Sequence, residues 1–460
     1  MKVDVNENSG IKLFQKLLSE KMKLIASKLI LDKKDEHIYP IKNPPFKIPE
    51  NWHWCYLSDI SIIQEGPGIR KHQYQNKGVQ FLTITNILED SVDLDKSKKY
   101  ISDSEYKTTY SHFTINKGDI VTACSGGSWG KSAIFDSDRK IILNTSTLRL
   151  RFFSDLGNNK YLYYLTKTKY FKDSLSSYVT GQQPNYGYSH YSKIPIPLPP
   201  LPEQKRIVAI LDECFTAIDK AKANAELNLK NTKELFEKVL NEIFSGIEND
   251  KTEIRFEDLI KENQIGLIKS SKEQDCNKRY RYLKMDSISS DNNLLNNKFV
   301  YVDATYEELK KFTLDKDDFL FNTRNSYELV GKTCVFTPID NEPTLYNNNI
   351  MRVKFKKGFS SKFINYAFSS NVVKQRLEKL KSGTTSVVGI YYKGLQNLLI
   401  PVSNYDSQQT IVHQLDALMA ETQKLEMVYN KKIADLEELK KSILQRVFTG
   451  ELKTDMKEVV

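Results

Sequence analysis

Two long segments of the chain carry apolar residues on a four-three spacing, with polar residues between them. In the first segment the apolar positions are Leu211, Phe215, Ile218, Ala225, Leu229, Phe236, Val239 and Ile243. In the second segment they are Leu415, Met419, Tyr429, Ile433, Leu436, Ile443 and Val447. Such a stripe predicts a long α-helix in each segment, packed along another helix. About 43 residues at ~1.5 Å each would form a rod of roughly 65 Å.

Proline and glycine mark the expected ends of these helices. Pro200 and Pro202 fit the start of the first helix, because proline is tolerated in the first turn. Gly246 and Gly450 fit the position just past the last turn of each helix.

The two helical segments are copies of one element. Glu203–Asp212 resembles Ser407–Asp416, a shift of 204 residues (416 − 212), and Gly246 aligns with Gly450 at the same shift. Two matched ends without a gap between them indicate one element present twice at equal length. A repeated helix of fixed length favours a spacer, and a pair of ordinary core helices remains the alternative.

The segments that precede each helix also match, but more loosely. They contain short β-branched and aromatic runs broken by turn residues, which predicts mixed, β-rich domains with a few helices. The matched pairs are Phe81–Ile87 with Tyr282–Ile288, Phe113–Ile120 with Phe312–Phe319, and Gly130–Ser132 with Gly331–Thr333. The predicted segments are an N-terminal helical arm (1–44), a first globular domain (45–200), a first long helix (201–248), a second globular domain (249–403) and a second long helix (404–460).

Composition and charge narrow the choice of partner. With 460 residues, 40% hydrophobic and 11% aromatic, the chain can bury more than one core. The net charge of +10 is spread along the chain, which favours a broad surface facing a polyanion such as DNA. No apolar run of about 18 residues or signal peptide is found, so a soluble cytoplasmic protein without membrane contact is expected.

The sequence offers no catalytic, cofactor-binding or metal site. Its five cysteines include no CxxC pair, so neither a disulfide framework nor a zinc ribbon is supported. No nucleophile is placed with a base. We therefore expect a non-catalytic protein.

Two short motifs suggest chemistry but lack its other parts. Asn43–Phe46 (Asn-Pro-Pro-Phe) resembles the catalytic motif of adenine-N6 methyltransferases, which also need a glycine-rich turn for S-adenosylmethionine. The nearest turn, Gly66–Gly68, lacks that form, so a proline-rich turn is favoured and a self-sufficient methyltransferase is the alternative. Ser125–Ser132 resembles a phosphate-binding loop but has serine at the first glycine position, as does Ser326–Thr333. A strand-turn-strand built on Gly-Lys explains both.

DNA readout needs Lys or Arg for phosphates and forked polar side chains for base edges. In the first domain the candidates are Arg70, Lys71, Gln73, Ser128, Lys131, Gln182, Gln183, Asn185 and Tyr186. In the second domain they are Lys278, Arg279, Arg281, Arg324, Asn325, Tyr327, Thr384 and Thr385. Arg324 suits guanine, whereas Gln182, Gln183, Asn185 and Asn325 suit adenine. An ordinary exposed loop residue is the alternative at each position.

Three stretches carry a family resemblance. They are Pro45–Trp54 with Leu57–Ile60, Ile194–Ile207 with its Pro-Leu-Pro-Pro-Leu-Pro-Glu-Gln run, and the helix ending Phe244–Gly246. Together they resemble the specificity subunits of type I restriction–modification enzymes, and the order matches over nearly the whole chain. The second copy departs at Ile400–Ser403, but its helix and ending remain.

The resemblance implies an α+β fold with two β-rich target-recognition domains, two long antiparallel coiled-coil helices and a pseudo-twofold internal repeat. Each domain would read half of a bipartite double-stranded DNA site, and the helices would fix the unread spacer. Two modification (methyltransferase) subunits would dock on the helices, and restriction/translocase subunits would join them. Partner contacts are expected at Leu211, Phe215, Ile218, Leu415, Met419 and Ile433, with the arm completing that layer.

The resemblance also bears on cofactors and location. This chain would bind no cofactor, because S-adenosylmethionine, ATP and Mg would be held by the partner subunits of a prokaryotic, cytoplasmic complex. A scaffold that holds partner proteins without reading bases is a further alternative.

Overall fold

A computed structural model describes residues 9–33, 37, 39–178, 184–295, 297–383 and 387–450. The chain forms two compact units. Unit 1 comprises Met1–Ala223 and Lys432–Val460, and unit 2 comprises Asn224–Lys431. Two long helices each contribute residues to both units.

Unit 1 contains nine strands among its described residues. They are β1 (His53–Tyr56), β2 (Ser61–Glu65), β3 (Val79–Phe81), β4 (Tyr100–Ile101), β5 (Ile120–Ala123), β6 (Ser132–Ile134), β7 (Ile141–Ile142), β8 (Thr147–Phe152) and β9 (Pro195–Leu198). The sheets have the orders β2-β8-β5-β6, β4-β3-β7 and β1-β9. All four residues of β5 are buried, which explains its continuous apolar and β-branched sequence.

The helices of unit 1 cover these sheets. They are α1 (Gly10–Ala26), α2 (Leu57–Ile60), α3 (Asp103–Glu105), α4 (Asn159–Lys167), α5 (Lys169–Ser176), α6 (Tyr188–Tyr191) and the start of α7 (Leu201–Asn249). Asn158 and Thr168 cap α4 and α5 by accepting hydrogen bonds from backbone N–H groups. Leu13 and Leu17 of α1 are buried in the same core as Phe448, near the end of the second long helix.

Unit 2 has its own strands and helices. The strands are β10 (Glu253–Arg255), β11 (Ile260–Ile265), β12 (Tyr280–Leu283), β13 (Val300–Val302), β14 (Phe319–Asn322), β15 (Arg324–Asn325), β16 (Thr333–Val335), β17 (Thr344–Tyr346), β18 (Ile350–Phe355), β19 (Ser382–Gly383), β20 (Val388–Gly389) and β21 (Leu399–Pro401). The helices are α8 (Phe256–Leu259), α9 (Tyr306–Phe312), α10 (Ser361–Ser369), α11 (Asn371–Glu378), α12 (Tyr392–Leu395) and α13 (Tyr405–Phe448).

The sheets of unit 2 repeat the strand order of unit 1. The orders β11-β18-β14-β16, β13-β12-β17 and β10-β21 correspond to three sheets of unit 1, and a further sheet of unit 2 has the order β15-β20-β19. A detail of the backbone is repeated too. A Cβ on Gly66 would lie 2.1 Å from the carbonyl oxygen of Asn144, and one on Gly266 would lie 2.2 Å from that of Asn347. The predicted mixed, β-rich domains are confirmed, and Gly66 serves close packing of the backbone.

The two long helices were predicted with one error. α7 has 49 residues and α13 has 44, and α7 starts at Leu201 with Pro202 in its first turn, as expected. Gly450 has φ +71° and follows the last turn of α13, also as expected. The expectation for Gly246 is wrong, because α7 continues to Asn249. The buried Phe244 anchors this last stretch, which offsets the weak helix propensity of one glycine.

Charged side chains connect the long helices within unit 1. Lys222 lies 2.6 Å from Glu437, and Asp219 lies 3.0 Å from Lys440. From the first ion pair to the second, the residue number falls in α7 and rises in α13, so these segments of the two helices run antiparallel. Within the part of the chain that the structure describes, no helix has the length and hydropathy of a membrane span.

Candidate nucleic-acid interface

In unit 1 two of the predicted DNA-binding stretches meet at the end of β5. Ser125 forms a β-bridge with Asn185, and the backbone N–H of Gly126 donates to the carbonyl oxygen of Pro184 over 3.3 Å. The ring of Trp129 lies 5.1 Å from that of Tyr186. The loop that carries Ser128 and Lys131 therefore lies against the segment that carries the exposed Asn185.

The members of this group differ in their exposure. Tyr186 is only 1% exposed, so it packs beneath the loop that carries Ser128 and Lys131, and its ring is not accessible to a ligand in this conformation. Trp129, absent from the sequence-based candidates, is the residue that packs on it. Its position in a glycine-rich loop, directly before Gly130, was the available signal. Gln182 and Gln183 lie outside the described residues.

The third stretch of unit 1 forms a short turn. The side-chain oxygen of Gln73 accepts from the backbone N–H of Arg70 over 2.8 Å. Its amide nitrogen donates to Glu105 Oε1 over 3.1 Å, so Gln73 serves the turn itself. Arg70 and Lys71 are exposed, and neither has an ion-pair partner among the residues described. These two cations are free to meet a phosphate.

In unit 2 the equivalent position after β14 is strand β15. Arg324 and Asn325 pair with Gly389 and Val388 of β20. The Arg324 side chain is exposed, and its guanidinium carbon lies 5.9 Å from the ring centre of Tyr391. This leaves the fork of donors at the surface, as guanine recognition requires.

The neighbours of Arg324 are less available. The side-chain nitrogen of Asn325 donates to Asn322 Oδ1 over 3.1 Å, and its side-chain oxygen Oδ1 accepts from the backbone N–H of Ser326 over 2.9 Å. Tyr327 is 49% exposed, with the ammonium of Lys381 4.4 Å from its ring centre. Thr384 and Thr385 lie outside the described residues.

Two of the three basic candidates around β12 already have acidic partners. Lys278 lies 2.7 Å from Asp303. The guanidinium of Arg281 binds both carboxylate oxygens of Asp340, one of them over 2.6 Å, and this holds the pKa of Asp340 at about 2. Arg279 is exposed beside the ring of Tyr280, at 5.1 Å. Of the three, Arg279 is best placed for a phosphate contact.

Comparison with known proteins assigns the family. The family model described as "Type I restriction modification DNA specificity domain" matches residues 49–229 and 248–435. The chain belongs to this family. It is thus a specificity subunit, a DNA-recognition subunit that is not itself an enzyme, and the methyltransferase alternative is not supported.

Relatives match along most of the specificity subunit. It is 24% identical to the EcoKI specificity subunit of Escherichia coli strain K12, over 88% of this chain and 90% of that one. It is 27% identical to the MjaVIII specificity subunit of Methanocaldococcus jannaschii, over 88% and 94%.

Solved structures share its fold. A chain from a study of complex assembly and conformational transition of the type I R-M system has a TM-score of 0.70 and 19% identity, over 89% of this chain and 100% of that one. The HsdS subunit of Thermoanaerobacter tengcongensis has a TM-score of 0.58 and 20% identity, over the same shares.

The partner contacts expected on the long helices stay a prediction, and the structure shows how far each of these side chains is exposed. Leu211, Phe215 and Ile218 are buried in the core of unit 1, and Leu415 in that of unit 2. These four hold the helices to the units, so their burial argues against direct contact with a partner. Met419 and Ile433 are half-buried. The exposed apolar residues of the helices are others, namely Leu227, Leu235, Leu425, Met427, Val428 and Leu439.

The two motifs that suggested catalysis have structural roles. Asn43 is exposed, and Phe46 at the end of its motif packs edge-on against Trp54 with ring centres 4.9 Å apart. Gly130 and Gly331, with φ +77° and +89°, form the turns that lead into β6 and β16. The strand-turn-strand interpretation is confirmed. No group of three His, Cys, Asp or Glu side chains suited to a metal occurs within the described ranges.

Proposed function

We propose that each unit of this specificity subunit reads one half of a bipartite double-stranded DNA site. The observation that carries the proposal is a repeated juxtaposition. Two residues beyond the central strands β5 and β14, the chain pairs with the segment that precedes α6 or α12. The two places share their backbone pairing but present different side chains. Two domains with the same backbone arrangement but different surface side chains are suited to reading two different half-sites.

The contacts at each half follow from exposure and charge. In unit 1, Arg70, Lys71 and Lys131 would hold phosphates while Ser128 and Asn185 face the bases. In unit 2, Arg324 would read guanine through its two-pronged donors, and Arg279 would hold phosphate. Gln182, Gln183, Thr384 and Thr385 remain proposed base contacts from their sequence context.

We further propose that the long helices act as a ruler with pseudo-twofold symmetry. The 204-residue shift (416 − 212), the buried apolar stripe and the antiparallel ion pairs of unit 1 support a coiled-coil pairing. A helix of 49 residues spans about 70 Å at ~1.5 Å per residue. This fixed length would set the number of unread base pairs between the half-sites.

The catalytic work would belong to partners. Two modification subunits would dock on the exposed apolar residues of the helices and carry S-adenosylmethionine. Restriction/translocase subunits would bring ATP and Mg. The bacterial and archaeal relatives support a prokaryotic host. A complex that acts on chromosomal DNA would work in the cytoplasm of such a host.

The test is a map of methylated adenines in cells that carry the modification subunits, with and without this chain. We expect one split motif with a fixed gap, present only with the chain. Arg324→Gln should relax the specificity for one base pair in one half-site and leave the specificity for the other half-site unchanged. Methylation that continues without the chain would contradict the assignment. Purified chain that methylates DNA alone would revive the methyltransferase alternative.

A further inference from the structure

The same set of contacts ties each unit to its long helix. In unit 1, Asp212 of α7 accepts hydrogen bonds from Lys160 Nζ over 2.7 Å and from the Tyr164 hydroxyl over 2.5 Å. In unit 2, Asp416 of α13 accepts from Lys362 Nζ and from the Tyr366 hydroxyl, both over 2.7 Å. Asp212 and Asp416 are the last residues of the repeated segment found in the sequence.

A second pair of contacts lies near the start of the same helices. Gln204 and Gln408 are completely buried. Their side-chain oxygens accept from the backbone N–H of Asn158 and of Ser360, each over 2.9 Å. Their amide nitrogens donate to the carbonyl oxygens of Pro199 and Ser403, over 2.9 and 2.8 Å.

Both contacts reach one short helix in each unit. Asn158 is the N-cap residue of α4, and Lys160 and Tyr164 lie within it. Ser360 caps α10, which carries Lys362 and Tyr366 in the same way. On the long helix the glutamine and the aspartate are eight residues apart, about 12 Å. One contact alone would leave a pivot, whereas two contacts this far apart fix the angle between the helices.

We propose that these four residues of each unit form a latch that sets the angle at which the recognition surface leaves the helix, and thereby how strictly spacer length is selected. In unit 1 the latch is Gln204, Asp212, Lys160 and Tyr164, with Gln408, Asp416, Lys362 and Tyr366 as its copy. The inference rests on the proposed ruler.

We expect the aspartates of the latch to be dispensable for folding, which suits them to positioning. The side chains of Lys160 and Lys362 are 43% and 51% exposed, so removing the aspartates leaves no buried charge unpaired. The buried glutamine and the apolar core of each unit would still hold that unit to its helix. Removing the aspartates should therefore loosen the angle without unfolding the units.

The experiment compares the wild-type complex with modification subunits and a complex that carries Asp212→Ala and Asp416→Ala. Methylation rates are measured on DNA with the correct half-sites and with spacers one or two base pairs longer or shorter. Half-site mismatches at the correct spacing are measured in parallel. The control is Glu234→Ala, which removes an exposed carboxylate of α7 that lies 3.5 Å from Lys230.

We expect the preference for the correct spacer to fall about tenfold in the double variant, as suits the loss of two charge-assisted hydrogen bonds per unit. Discrimination against half-site mismatches should stay unchanged, as should both properties in the control. Tyr164→Phe with Tyr366→Phe should give a smaller effect in the same direction.

Two results would overturn the latch. One is an unchanged spacer preference in both double variants. The other is an equal loss of spacer and half-site discrimination, which marks a merely structural role. Failure of the ruler is visible separately, because the wild-type complex would then methylate all spacer lengths alike.

Discussion

A buried carboxylate in unit 2 should make its stability depend on pH, whereas the matching carboxylate in unit 1 has a different environment. Asp318 is 3% exposed, and its nearest cation, Lys354, lies 3.8 Å away. Burial raises its pKa from 3.8 to about 6. Asp119 occupies the same place in unit 1 but lies 3.3 Å from Arg149 and 3.4 Å from Arg151.

The magnitude follows from the rise in the pKa of Asp318 from 3.8 to about 6. At ~1.4 kcal/mol per unit, the preference of the folded state for the protonated carboxyl is about 3 kcal/mol. Because the folded pKa of Asp318 lies above its unfolded value, this stabilisation is complete below pH ~4 and is lost as the pH rises through about 6. The variant Asp318→Asn has no carboxyl to ionise, so its stability does not fall in this way as the pH rises. Relative to the wild type, the free energy of unfolding of the variant should therefore rise by about 2 kcal/mol between pH 4.5 and 7.5, because the unfolded carboxyl is already largely ionised at pH 4.5.

The matched substitution has the opposite sign at neutral pH. Asp119→Asn removes the carboxylate beside Arg149, whose side chain is only 13% exposed. The unpaired guanidinium should lower the free energy of unfolding of unit 1 by on the order of 3 kcal/mol.

The assay is amide hydrogen exchange of the complete chain from pH 4.5 to 7.5, corrected for intrinsic exchange and followed in β14 for unit 2 and in β5 for unit 1. Local protection separates the two units, which a melting curve would combine. A difference between Asp318→Asn and the wild type that does not change with pH would refute the reasoning. So would a difference that favours the wild type as the pH rises.

Three further substitutions test the packing and the interface. Gly266→Ala should lower the free energy of unfolding of unit 2 by more than ~2 kcal/mol, because its Cβ would lie 2.2 Å from a carbonyl oxygen. The control is Gly68→Ala in unit 1, which has open space around it, and both are followed by the same amide hydrogen exchange. Leu415→Ala should cost ~2–5 kcal/mol at a fully buried site, and a loss below ~0.5 kcal/mol in denaturant titration would contradict its core role. Arg324→Ala should reduce discrimination at one base pair by ~1–3 kcal/mol in competition binding by the assembled complex. Equal weakening on all DNA sequences would instead reduce Arg324 to a phosphate contact.

The sequence was sufficient for the features that repeat over many residues. The apolar stripe through Leu211 and Leu415 extends over many turns, so it specified both long helices and their equal spacing. A single residue was less informative. Gly246 matched a helix end as well as Gly450 does, but only Gly450 adopts the positive φ that this role uses.

Contacts between distant residues were beyond the sequence. No residue near Arg281 in the sequence indicates that its guanidinium binds Asp340, which lies 59 residues further along the chain. Asn325 looks free in the sequence, but its amide is committed to the turn that begins at Asn322. The stripe also could not distinguish a core from a docking surface, because both need apolar residues at the same spacing.

The short sheets β1-β9 and β10-β21 have a consequence for how such chains change. His53 pairs with Leu198, and Glu253 pairs with Pro401, so the chain enters and leaves each globular part through neighbouring, hydrogen-bonded strands. Everything between the two strands is then an insertion whose ends are already side by side. A genetic exchange with its crossovers in these strands would replace the whole reading surface and leave the helical frame as it was. New DNA targets would then be acquired by recombination in one step, one half-site at a time.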